Sequence, residues 1–326
     1  MKRLTLVAAV SAAALTLTAC GTTEPAAGGG DSKKTADRIT LTDASGKKVS
    51  LDGPAEKVVA TEWNIVENLI SLGVEPAGVS DVKGYKAWAA AVPLKNEPKD
   101  IGTRGEPSMD SIAALAPDLI ITTTDMPDPA VKQLSKVAKV LEIRPADAAA
   151  PVERMMGNLD LIAQATGTAE KSAKLREGFE AKVAEGRKAL ADAGLAGARF
   201  AFADGYVTSN QVSIRPYTSG SLIGAVNEQI GLKNAWTLKG DKEYGLASTD
   251  VEGLTKLGDT HFAYIGVEAD ANSIPFSGPL AKNAVWKSLP FVKKGNVHRL
   301  ADGIWMFGGP GSMEAYIDAV VGALTK

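Results

Sequence analysis

Cysteine is almost missing from this chain: Cys20 is the only one in 326 residues. No internal disulfide can form, so the folded part must be held by its core alone. Histidine is nearly as scarce, with only His261 and His298. Zinc and manganese sites use His with carboxylates, so a dedicated bare-metal site has little to be built from. His261 runs into Phe262-Ala263-Tyr264-Ile265 and reads as core. No Gly-x-x-x-x-Gly-Lys-Ser/Thr phosphate loop and no Gly-x-Ser-x-Gly elbow occurs. A nucleophile-base-acid triad would have to recruit one of the two histidines. These gaps argue against an enzyme. Gly308-Gly309-Pro310-Gly311-Ser312 is glycine-rich, but Pro310 at a first turn fits helix initiation after Trp305-Met306-Phe307. A basic excess is also missing, with 36 Lys and Arg against 38 Asp and Glu. That balance gives no support for nucleic-acid binding. Finally, no apolar run reaches the roughly 20 residues that a bilayer-spanning helix needs.

What is present begins with an export signal. Lys2 and Arg3 precede the uncharged run Leu4 to Ala19, followed by Cys20. A short positive region, an apolar stretch and a small-residue cleavage site define such a segment. Leu17-Thr18-Ala19-Cys20 resembles the bacterial lipobox, in which the cysteine is acylated and becomes the new N-terminus. An uncleaved anchor with an incidental cysteine is the alternative. Residues 1–19 are thus expected to be removed, and Cys20 to carry a lipid. Residues 20–37 are rich in Gly, Ala, Thr and Ser and poor in large apolar side chains, the composition of a flexible tether.

From residue 38 onward, short β-like runs alternate with helical patterns. Val58 to Thr61 precedes a helix-like stretch from Asn64 to Leu72. Val79 marks a short strand, Ser108 to Leu115 a helix, Leu119 to Thr124 a strand, Met126 to Val137 a helix, and Lys139 to Ile143 a strand. Apolar strands alternating with helices predict a largely parallel sheet. At Pro151 the pattern changes. Val152, Met155, Met156, Leu159, Ile162 and Ala163 recur at helical spacing, and Thr168 is placed to cap a second helix reaching about Ala193. The α/β rhythm resumes at Arg199. Two segments also repeat one another. Ser108-Met109-Asp110 leads through Leu115 and Asp118 into Leu119-Ile120-Ile121. Ser248-Thr249-Asp250 leads through Leu257 and Asp259 into Phe262-Ala263-Tyr264-Ile265. The expected architecture is α/β: a lobe at 38–150, a helical segment at 151–193, and a second lobe at 194–326, with a ligand cleft between the lobes.

The run VATEWNIVENLISLGVEPAGV at Val59 to Val79 resembles the first strand-helix-strand unit of the helical-backbone class of ABC-importer binding proteins. That class serves iron-siderophores, haem, vitamin B12 and some metals. Ile101 to Ser108 with Met109-Asp110 is similar to its ferric hydroxamate-binding members. So are Glu243-Tyr244-Gly245 leading into Ser248-Thr249-Asp250, and Ile304 to Gly308. The resemblance implies two α/β lobes bridged by a long helix. It implies a ferric siderophore as ligand, hydroxamate and ferrioxamine-type, with no cofactor of the protein's own. Haem or vitamin B12 is the alternative cargo. An importer permease is the implied partner, the membrane is met through the lipid alone, and a monomer is expected.

Arg104 matches the hydroxamate-contacting arginine of that family, and a planar guanidinium suits ligand oxygens. A surface salt bridge is its alternative role. Trp63, Tyr217, Tyr244 and Trp305 are the candidate aromatic walls, each of which could instead be core packing. Arg215 is a second candidate cation, with plain solvent exposure as the alternative. Hydroxamate-binding relatives can carry a tyrosine just after the strand matching Leu119 to Thr124; here Met126 stands nearest. An acidic Asp125 in the cleft would favour a neutral or cationic hydroxamate over an anionic catecholate or citrate complex. Asp110 and Asp250 match the acids with which the family docks onto its permease. Stabilising a helix N-terminus is their other reading.

Overall fold

A computed structural model of the protein describes residues 38–209 and 211–326. The expected signal segment, Cys20 and the tether at 20–37 lie outside the described residues. The described residues form one compact unit. No described helix is long and apolar enough to cross a membrane.

An antiparallel hairpin, β1 (Ile39–Thr42) and β2 (Lys48–Leu51), opens the described chain. The first sheet is built from β3 (Val58–Ala60), β4 (Gly78–Val79), β5 (Lys99–Asp100), β8 (Leu119–Thr123) and β9 (Lys139–Ile143). Their order is β5-β4-β3-β8-β9, all parallel. Between them run α1 (Trp63–Ser71), α2 (Val82–Trp88), a small hairpin of β6 (Gly102–Thr103) and β7 (Glu106–Pro107), α3 (Met109–Leu115) and α4 (Asp128–Val137). Side chains alternate across a strand, and the sheet has a separate core on each face. Val58, Ala60, Leu119 and Ile121 face the main core. Val59 and Ile120 face the opposite way, with Ile101, Ile112 and Leu134. That double burial explains the unbroken apolar runs.

Two helices follow, α5 (Pro151–Thr166) and α6 (Ala169–Asp192). Gly167, with φ +68°, makes the break between them. Thr168 occupies the N-cap position of α6, but its hydroxyl meets Thr166 rather than a helix N–H, so the expected side-chain cap does not form.

The second sheet contains β10 (Arg199–Thr208), β11 (Gln211–Pro216), β12 (Lys233–Asn234), β13 (His261–Tyr264) and β14 (Val297–Arg299), in the order β11-β10-β13-β14, with β12 also on β10. Only the β10–β11 pair is antiparallel. α7 (Leu222–Gln229) lies between β11 and β12, the short α8 (Ala284–Ser288) and α9 (Pro290–Lys293) precede β14, and α10 (Pro310–Leu324) closes the chain. Phe200 and Phe202 face the main core, while Ala201 and Ala203 face a second one with Phe262, Trp286 and Phe291. α5 packs on both α1, which follows β3 of the first sheet, and α7, which follows β11 of the second.

The repeated segments fold differently. Ser108 caps α3 by accepting from the Ser111 N–H. In the second copy Thr249 exchanges two backbone hydrogen bonds with Ile214, which keeps it extended. Asp250 accepts from the Gly253 N–H, and only a 3₁₀ turn, Gly253–Leu257, follows.

Candidate functional site

A cavity of about 920 Å³ opens between the two sheets, within the range of sites that enclose sizeable small molecules. Its walls come from chain segments leaving strand ends. Glu62 and Trp63 follow β3, Asp125 and Met126 follow β8, and Asp204, Tyr206 and Arg215 come from the β10–β11 hairpin. Tyr244, Asp270 and the segment Trp305–Phe307 complete the far side.

Arg104 sits at the tip of the β6–β7 hairpin. Gly105, at φ +81°, lets this two-residue turn close, because a left-handed residue there suits glycine. The guanidinium lies 3.9 Å from the centre of the Trp63 ring and 5.4 Å from that of Trp305. The two rings meet edge-on at 4.8 Å. Trp63 is buried and fixed by its indole N–H, which donates to the Ser80 carbonyl at 3.2 Å. Arg104 Nη1 also donates to Glu62 Oε2 at 3.1 Å, and both side chains stay partly open at 34% and 25% exposure. Burial raises the Glu62 carboxyl above its ordinary range, and the arginine counters this only in part.

Arg215 is held otherwise. It stands directly across the ladder from Asp204. Its Nε donates to Asp204 Oδ1 at 2.9 Å and its Nη2 to Oδ2, a bidentate pair. Tyr217 reinforces the pair: its hydroxyl donates to Asp204 Oδ2 at 3.2 Å and lies 3.3 Å from Arg215 Nη2. Tyr217 is itself fully buried and does not line the cavity. Expected as a wall residue, it is instead a brace beneath one: it shares the strand face of Arg215, but its ring is covered by Phe202 and Phe307.

Tyr244 and Asp125 meet across the cavity, the tyrosine hydroxyl donating to Asp125 Oδ2. Burial, then this bond, raises the phenol well above its ordinary range. Met126 is buried and presents part of its side chain to the cavity. Asp110 and Asp250 are exposed and away from the cavity. Asp110 lies in the first turn of α3.

Several wall residues were not anticipated. Trp88 and Phe307 add two aromatic faces, with Phe307 edge-on to Tyr244 at 5.5 Å and to Trp305 at 5.2 Å. Tyr206, Glu62, Asp204 and Asp270 also contribute. The charged groups of the lining are therefore four carboxylates, of Glu62, Asp125, Asp204 and Asp270, and two guanidiniums. Each arginine is already paired with one acid. The lining has a formal charge of −2.

The segment carrying Trp305 and Phe307 is pinned from α1. Glu67 is fully buried. It accepts from the Ser312 N–H and hydroxyl, both at 2.7 Å, in the first turn of α10. A helix N-terminus favours a carboxylate, yet burial dominates and pushes Glu67 up to about 7. A side chain at Gly308 would meet Glu67 Oε2 at 2.2 Å, and one at Gly309 would meet Asn68 Oδ1 at 2.5 Å. The glycine run is there to let this contact close.

Comparison with known proteins agrees with this architecture. The family model described as periplasmic binding protein matches residues 58–302. The chain is 25% identical over 305 residues to the Fe(3+)-citrate-binding protein YfmC of Bacillus subtilis, covering 93% of this chain and 91% of that one. It is 23% identical over 253 residues to the iron(3+)-hydroxamate-binding protein FhuD of Escherichia coli, covering 77% and 81%. The structure of FhuD from Vibrio cholerae bound to Fe3+-Desferal superposes with a TM-score of 0.73 at 24% identity, covering 83% of this chain and 98% of that one. The chain belongs to the periplasmic binding protein family.

Proposed function

With that membership as the premise, we propose that the protein captures a ferric siderophore outside the cytoplasm and hands it to the permease of an ABC importer. One observation carries the reading: a large cavity walled by aromatic rings, with the Arg104 guanidinium laid between Trp63 and Trp305. A wrapped iron complex offers apolar spacers to the rings and ligand oxygens to the guanidinium. Binding of this kind leaves the iron with its own ligands. Among the described residues no group of three metal-binding side chains gathers, and the scheme needs none.

The lining supports a hydroxamate over other siderophores. Three hydroxamate anions neutralise ferric iron, whereas catecholate and citrate complexes keep negative charge. A lining of formal charge −2 disfavours the latter by like-charge repulsion. The same relatives include a citrate binder and a hydroxamate binder, so the side chains of this cavity, rather than kinship, support the choice.

In this reading Cys20 carries lipid, with residues 20–37 as the tether. A tether of that length has a root-mean-square reach of roughly 20 Å. Asp110 and Asp250 then contact basic residues of the permease. The binding step is tested by loading the purified protein with ferric desferrioxamine and recording its absorbance after gel filtration. A broad hydroxamate-iron band that travels with the protein supports the reading. A Soret band after incubation with haem, with no retained hydroxamate, would replace it with haem capture.

A further inference from the structure

The charge of the cavity lining is not balanced from within. Glu62 is satisfied by Arg104 and Asp204 by Arg215. No cation among the described residues lies within ion-pair distance of Asp125 or Asp270. Asp125 accepts the Tyr244 hydroxyl from across the cavity. Asp270 has weaker company: the Tyr206 hydroxyl at 3.3 Å and the Asn272 N–H at 3.2 Å. Tyr206 is unusual in its own right. It is the large hydrophobic side chain left exposed among the described residues, at 46%. It borders the cavity beside Gly205 and Asp270. Its ring is thus an open π face, with a carboxylate joined to its hydroxyl.

An aromatic face beside an under-used carboxylate is the chemistry that recognises an ammonium group. Asp270 and Tyr206 both belong to the second sheet's side, on the β10–β11 hairpin and the segment after β13. Arg104 stands on the other side, on the β6–β7 hairpin. A ligand whose iron centre rests on Arg104 and the tryptophans can send a flexible tail towards Tyr206. We propose that Asp270 and Tyr206 form a cation subsite for a protonated primary amine on the cargo, so that the preferred ligand is a ferric hydroxamate of net positive charge. The inference rests on the siderophore reading and names the ligand class within it.

The test uses two ligands with the same iron centre: ferric desferrioxamine B, which has a free primary amine, and its N-acetylated form, which is neutral. Affinities are measured by tryptophan quenching on the native protein and on Asp270→Asn, Asp125→Asn and Tyr206→Leu. The native protein is expected to bind the amine form about tenfold more tightly than the acetylated form. Asp270→Asn and Tyr206→Leu should remove that preference by weakening the amine form alone. Added salt should shrink it. Equal affinity of the native protein for both ligands overturns the subsite while leaving the siderophore reading in place. So does an equal loss of both ligands in Asp270→Asn, or a selective loss in Asp125→Asn instead. Failure of both ligands to bind the native protein removes the siderophore reading, and the subsite with it.

Discussion

The cavity receives one arginine from the β6–β7 hairpin and one from the second sheet, and the two are held in opposite ways. Arg104 projects from a hairpin tip, lies on two tryptophan rings and has a single carboxylate contact, with both members of that ion pair partly open to solvent. Arg215 lies within a strand, locked by a bidentate carboxylate and a buried tyrosine. The first arrangement leaves N–H groups for a ligand. The second spends its donors on the protein and fixes the hairpin that carries Tyr206. In the proposed reading the two therefore divide the work: Arg104 is the one left to meet cargo, and Arg215 holds the wall.

That division can be broken or sharpened by substitution. The largest effect is expected outside the cavity, where each lobe contributes one exposed acid. Asp110→Lys with Asp250→Lys should abolish iron uptake by cells while ligand affinity stays unchanged. Normal uptake in the double variant would end the docking role. Within the cavity, Arg104→Ala should weaken ligand binding by one to two orders of magnitude, about 1.5–3 kcal/mol, with little change in Tm. A large fall in Tm with unchanged affinity would reverse the roles assigned to the two arginines.

Glu67 gives a pH-dependent prediction. Its folded value of about 7 lies above the ordinary 4.5, so the folded state holds this proton more tightly than the unfolded chain. The resulting stabilisation is fully present below about pH 4.5 and is lost as pH rises to about 7. It amounts to about 3 kcal/mol at most. Denaturant titrations across that interval should show the loss in the native protein and a flatter profile in Glu67→Gln. Equal slopes would show that burial does not set this carboxyl.

The smallest effect is expected at Arg215. Arg215→Ala leaves Asp204 largely buried and unpaired, but the arginine side chain is 44% exposed, and solvent screens part of the loss. A destabilisation of about 1–3 kcal/mol follows, read from the urea midpoint. Binding should weaken less than in Arg104→Ala.

The fold was legible because its strands are buried on both faces. Val58 to Ala60 and Leu119 to Ile121 have no polar side to hide, and the α5 and α6 segment breaks the rhythm cleanly. The second copy of the Ser-x-Asp repeat misled, since a strand pairing through Thr249 and Ile214, far apart in sequence, decides its conformation. The site was legible in part. Arg104 is marked by flanking glycines, and Trp305 by the aromatic run in which Phe307 could also have been found. Glu62 and Asp270 had no local signal, because a charge in a loop looks alike whether it faces a cavity or the solvent, and Asp204, inside β10, is an acid in a strand whose cross-strand partner the local sequence does not reveal. Tyr217 has the strand parity of the wall residues Ser213 and Arg215, and only its packing on Phe202 and Phe307, distant in sequence, hides it. Glu67 did leave a trace, as the one acid inside the apolar α1, and so did the glycines that make room for it.

The central claim is that the cavity selects a ferric hydroxamate through its aromatic walls and Arg104. Three of the five tryptophans, Trp63, Trp88 and Trp305, line that cavity, so bound iron complexes should quench their emission. The decisive measurement is a fluorescence titration with ferric hydroxamate, catecholate and citrate complexes side by side. Saturable quenching by the hydroxamate at sub-micromolar concentration, with the anionic complexes at least an order of magnitude weaker, is the predicted result. No quenching by any of them, or tighter binding of an anionic complex, would contradict it.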